Sequence, residues 1–174
     1  ALALLEEMGR LALQPNSQSL VALAGVLEAA AEWRQALLLL DATPIFGAGP
    51  NVFILNSTIS ACGRGFQWRR ALHLAAGAVA WQLTPDAVTF NAAVGALGLG
   101  AKWQHALALL GDARHSAMEP DSVALGSVVS ACERSQQWQR AVQLLHASAA
   151  GCGSAPSKVV YSAVISACGS RHSW

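Results

Sequence analysis

The sequence predicts an all-α fold built of tandem helix-turn-helix units, and three markers that keep one period carry the prediction. Pro followed by Asn, Asp or Ser occurs at Pro15–Asn16, Pro50–Asn51, Pro85–Asp86, Pro120–Asp121 and Pro156–Ser157, at intervals of 35, 35, 35 and 36 residues. Trp keeps the same beat at Trp33, Trp68, Trp103, Trp138 and Trp174. An Ala stands three residues after each of the first four, at Ala36, Ala71, Ala106 and Ala141. Such self-similarity marks an array in which each unit buries its apolar face against the next.

Residues 87–121 display the unit. The stretch AVTFNAAVGALGLG has apolar residues at helical spacing and stops at Gly100. KWQHALALLGDARHSA is a second amphipathic stretch, and MEPD ends it. Pro cannot continue a helix, and the residue before it avoids helical angles. The Asp after the Pro is placed to cap the helix that follows. The Pro-Asx dipeptide is therefore punctuation between units.

The chain divides on this basis into one array over residues 1–174. Complete units cover 17–51, 52–86, 87–121 and 122–157. Residues 1–16 read as a partial unit, the second helix only, and 158–174 as a first helix and the start of a second. Ala1 aligns with Ala36, so the expectation is an internal piece of a longer array.

Composition narrows the function classes. Hydrophobic residues make up 53% and charged residues 12%, too apolar for a disordered chain. The net charge of +1 gives no strong pull towards nucleic acid, membranes or acidic substrates. No apolar run approaches the roughly 18 residues of a membrane span, and no secretory signal is visible at the N-terminus.

The Trp at the start of each second helix is read as core, wedged between the helices of its own unit and its neighbour. Cys62, Cys132 and Cys168 share one position at the end of first helices, where Leu27 and Leu97 stand in other units, so that position is a buried apolar site. Cys152 falls in AAGCGSAP and is expected in an exposed loop. The five histidines, His73, His105, His115, His146 and His172, share no repeat position. No CxxC pair, metal-ligand spacing, phosphate loop or nucleophile with a base is present, so the expectation is no enzyme, no metal and no cofactor.

A 35-residue helix pair with VTFN opening the first helix, LALL in the second and PD closing the unit resembles the pentatricopeptide repeat over the whole chain. The resemblance implies a right-handed α-solenoid that binds single-stranded RNA in mitochondria or chloroplasts, one base per repeat. The fifth and last residues of a repeat choose the base, and the second residue sandwiches it with its counterpart in the next repeat. Carried over, the resemblance makes Asn56 with Asp86, and Asn91 with Asp121, two adjacent uracil-preferring pairs. Val21 with Asn51 forms the pair of the first complete unit, with Gln18 at its sandwich position. Phe53, Val88 and Val123 become the base-sandwiching residues. The fourth unit departs with Gly126 and Ser157, and the last offers Ser162 with Val159. Arg64 and Arg134, near the ends of first helices, are the implied phosphate contacts, while Ala29 and Leu99 hold the equivalent places. Arg34, Arg69, Arg70, Lys102 and Arg140 cluster instead at the starts of second helices, which the resemblance puts away from RNA.

Two functions follow. One is an RNA-binding module for RNA processing, stability or translation, whose partner is U-rich single-stranded RNA. The other is a non-catalytic scaffold subunit that binds protein subunits of a large organellar complex, favoured by the low charge and the Ala-rich surface. Neither involves a small-molecule substrate.

Overall fold

The computed structural model describes residues 16–47, 49, 51–115, 120–151 and 158–169. These residues form nine α-helices, one short 3-10 helix and no strand. In chain order the α-helices are α1 (Ser17–Ala29), α2 (Trp33–Ala42), α3 (Val52–Arg64), α4 (Trp68–Gly77), α5 (Ala87–Leu99), α6 (Trp103–His115), α7 (Ser122–Arg134), α8 (Trp138–Gly151) and α9 (Lys158–Gly169). The 3-10 helix, Ala78–Trp81, extends α4. The all-α repeat fold is the one the periodicity predicts. Residues 1–15, with Pro50, Cys152, Pro156, Ser157, His172 and Trp174, lie outside the described residues. So do the side chains of His115, Val159 and Cys168.

Two compact units are present, Ala1–Ala93 and Val94–Trp174, and the division passes through α5. In the first unit, α3 is the most enclosed helix, with Ile54, Leu55, Ile59, Ala61 and Cys62 no more than 1% exposed. Leu20 and Leu27 of α1 and Leu39 of α2 complete that core. In the second unit α7 takes the same place, contributing Val128, Val129, Ala131 and Cys132 beside Leu97 and Leu110. Burying each such side chain stabilises by about 1.5–3 kcal/mol before chain entropy is counted.

First helices start where the sequence puts a cap. Asn16 Oδ1 accepts from the Ser19 N–H at 2.7 Å, Asn51 Oδ1 from Phe53 at 2.8 Å, and Asp121 Oδ1 from Val123 and Ala124 at 3.0 and 2.9 Å. Each satisfies helix N–H groups that have no partner inside the helix.

First helices end in one repeated turn. Ala31, Phe66, Ala101 and Gln136 all have φ between 53° and 57°. The N–H of each bonds three residues back, and the next N–H bonds five back, as in Lys102 to Leu97 at 3.0 Å. This is the Schellman motif, whose left-handed position usually holds glycine. Here four residues with a Cβ occupy it. Ala101→Gly will therefore raise stability. Relief of about 1–2 kcal/mol of left-handed strain outweighs the roughly 0.5–1 kcal/mol entropic cost of glycine. A higher midpoint of chemical unfolding checks this, and an unchanged or lower midpoint would contradict it.

The core role read for the tryptophans needs correction. Trp33, Trp68, Trp103 and Trp138 open the second helices but are only half-buried. The interior belongs to Ala36, Ala71, Ala106 and Ala141, each no more than 1% exposed. Trp33 packs on the following repeat: a Cβ added to Gly65 would run into its indole, and the Arg70 guanidinium lies 4.3 Å from its ring centroid. In the second unit Arg140 stands 5.9 Å over Trp103. Each such cation–π contact stabilises by about 0.5–1 kcal/mol at an exposed site.

The cysteine position behaves as read where it is described. Cys62 and Cys132 are fully buried free thiols. Burial pushes each thiol up to about 11, against a smaller opposing pull from Arg70 on Cys62 and Arg140 on Cys132.

Candidate nucleic-acid interface

Asn56 is the fifth residue of α3, and Asp86 directly precedes α5. Asparagine is a weak helix former, yet here its side chain is held in place. Asn56 is 8% exposed, and its Nδ2 donates to Asp86 Oδ1 at 3.3 Å across 30 residues of chain. Asp86 also caps α5, accepting from the Thr89 N–H at 2.8 Å. Thr89 is 1% exposed. Its hydroxyl lies 2.7 Å from Asn56 Oδ1 and 2.9 Å from Asp86 Oδ1, and it accepts from the Asp86 N–H at 3.3 Å. Three side chains thus close one network in which Asp86 holds both the end of a helix and an amide on its neighbour.

Burial raises the Asp86 carboxyl, but hydrogen bonds outweigh it. The Thr89 N–H and hydroxyl, the Asn56 amide and the Asp86 N–H favour the charged form, and the net direction is below the usual carboxylate range. Asp86 is a carboxylate at neutral pH and can only accept. The Asn56 amide must therefore turn its NH2 towards Asp86.

The other candidate residues differ in exposure and role. Asn91 is the fifth residue of α5 and half-buried; Asp121, in the second unit, is exposed and engaged in capping α7. Val21 is half-buried in α1, and Asn51 is committed to capping α3. Ser162 is exposed on α9, and Gln18 on α1. Phe53 is 51% exposed, and Val88 and Val123 are each 59% exposed. Half-exposed apolar side chains at the second helical position offer flat surfaces that water wets poorly. A Cβ added to Gly126 would meet nothing within 4 Å, so the absent reader there leaves open space.

Of the two arginines expected at phosphates, Arg134 is exposed in the last turn of α7. Arg64 is already engaged: its Nη2 lies 3.9 Å from Glu28 Oε1 of the preceding repeat, with the arginine side chain 53% exposed. A pair at this distance and exposure contributes about 0–1 kcal/mol and is open to exchange for another anion. Arg34 and Arg69 rest over Trp33 and Trp68 at 5.0 and 5.1 Å from the ring centroids. His73, His105 and His146 are exposed on second helices. Among the described residues, no group of three or more His, Cys, Asp or Glu could hold a metal ion. No helix among them is long and apolar enough to cross a membrane.

Thr89 is the member of this site that the sequence reading passed over. The legible signal was Asp-x-x-Thr in DAVT, a capping residue followed three positions later by a hydroxyl that can bond back. The Glu28–Arg64 pair was hidden because the partners lie a repeat apart.

No protein-family model matches the sequence, and no curated protein matches it. Solved structures do. The pentatricopeptide repeat protein PPR10 in complex with an 18-nt psaJ RNA element matches 98% of this chain at 29% identity with a TM-score of 0.76. A cysteine-to-serine variant of PPR10 with the same RNA element matches 98% at 28% identity, also with a TM-score of 0.76. PPR10 from maize matches 96% at 26% identity with a TM-score of 0.53. The chain spans 25% to 28% of the length of these proteins.

Proposed function

Because the chain is built of pentatricopeptide repeats, we propose that it binds single-stranded RNA as a non-catalytic module, with Asn56–Asp86 and Asn91–Asp121 preferring uracil at two adjacent bases. The observation that supports this reading is the 3.3 Å bond from Asn56 Nδ2 to Asp86 Oδ1, which holds in place the amide that the family resemblance makes a base reader. A fixed amide reads a base edge at less entropic cost than a free one. Phe53 and Val88, exposed at the second positions of their repeats, offer faces between which a base stacks. Arg134 supplies a phosphate contact, and Arg64 does so by releasing Glu28. RNA processing, stability or translation in a mitochondrion or chloroplast belongs to the same proposal through the family.

The test is the pair of substitutions Asn56→Ser and Asn91→Ser. A serine hydroxyl is too short to span from the helix to both Asp and base. The double variant should lose its preference for uridine over other RNA while keeping the fold, read by circular dichroism. Unchanged discrimination would contradict the assignment of the two asparagines.

A second reading is favoured by one feature of the first unit. Ile45 and Val79 are 82% and 70% exposed, and a small cleft in the same unit is lined by Leu40, Pro44, Trp81 and Leu83 together with Asp41, Thr43 and Asn51. That apolar patch fits a protein subunit of a larger complex. Co-purification of partners that survives RNase digestion supports this reading, and release by RNase counts against it.

A further inference from the structure

We propose that Thr89 is a positioning residue for base choice: its hydroxyl locks the Asn56 amide in the one orientation that presents an N–H to the base. The inference rests on the RNA-binding reading above and names what sets its selectivity. An Asn side chain carries a donor end and an acceptor end, and a rotation of its amide exchanges them. Two neighbours forbid that exchange. The Asp86 carboxylate, an acceptor, holds one Nδ2 hydrogen. The Thr89 hydroxyl, 2.7 Å from Asn56 Oδ1 and 2.9 Å from Asp86 Oδ1, shares its one proton between these two acceptors and so faces the acceptor end of the amide. With Oδ1 engaged, the second Nδ2 hydrogen is what Asn56 has left for a ligand. A keto oxygen, as at uracil O4, accepts from it, while an amine in the same place, as at cytosine N4, meets donor against donor. A buried donor left without an acceptor is unfavourable.

The residue in register with Thr89 in the next repeat is Ala124, fully buried and without a hydroxyl.

The experiment compares binding of all-uridine and all-cytidine RNA of one length to the 174-residue chain, using Thr89→Val and Thr89→Ser. Thr89→Val keeps the shape and removes the hydroxyl. It should lower the uridine-to-cytidine affinity ratio about three- to tenfold, the worth of one hydrogen bond. Thr89→Ser should restore the ratio, which a merely structural role would not require once both variants are shown folded by their melting curves. A wild-type chain that prefers uridine, with a ratio that Thr89→Val does not move, overturns the positioning role alone. A wild-type chain with no preference for uridine overturns the RNA reading and this inference with it.

Discussion

Gly98→Ala will destabilise the chain by about 1–3 kcal/mol, whereas Gly95→Ala, one turn earlier in the same helix, will stabilise it by roughly 0.5–1 kcal/mol. Glycine inside a helix is normally a cost, because it loses more backbone freedom than alanine, and that term alone makes both substitutions favourable. The surroundings separate them. A Cβ at Gly95 would meet nothing within 4 Å. A Cβ at Gly98 would stand 2.8 Å from the carbonyl oxygen of Ser127, on α7, with the rest of that peptide close behind. Backbone cannot rotate away as a side chain tip can, so one of the two helices must shift. The overpacking penalty then exceeds the gain in propensity. Urea denaturation of both variants checks the pair; stabilisation by Gly98→Ala would mean that the two helices do not approach as described.

Asp86→Ala will remove a cap and a base-reading support in one step. Loss of the cap destabilises by about 0.5–2 kcal/mol. Loss of the carboxylate frees the Asn56 amide, so the preference for uridine should fall together with stability. The loss is pH-dependent with a defined sign. The Asp86 carboxyl sits below its ordinary range in the folded chain. Its contribution is therefore fully present above the unfolded carboxylate pKa of about 4 and is lost as pH falls through the lower folded value. The stability difference between wild type and Asp86→Ala should be constant near neutrality and narrow in acid. A difference that widens in acid would contradict the network.

Most of the fold was legible because its marks are local. Pro-Asx and Trp fix where helices stop and start, and the first helices begin at residues 17, 52, 87, 122 and 158. What was not legible depends on neighbours a repeat away. Trp is usually a core residue, yet here Trp33, Trp68, Trp103 and Trp138 stay partly exposed, while Ala36 and its counterparts three residues on are buried. The left-handed turn at Ala31, Phe66, Ala101 and Gln136 carries no glycine to announce it. The Asn–Asp pairing could be anticipated only through the family resemblance, not through spacing. Thr89 sits in plain sight within VTFN, but its importance comes from two partners that the chain brings from opposite sides, Asp86 three residues away and Asn56 thirty-three residues away.

RNA binding with a preference for uracil is tested most directly by fluorescence anisotropy of the chain with labelled U-rich, C-rich and A-rich RNA at two salt concentrations. The prediction is tightest binding to U-rich RNA, weaker at the higher salt, since phosphate neutralisation releases counterions and contributes much of the affinity. Equal affinity for all three RNAs, or no binding at micromolar protein, would contradict it and leave Asn56, Asp86 and Thr89 as the capping network of a scaffold.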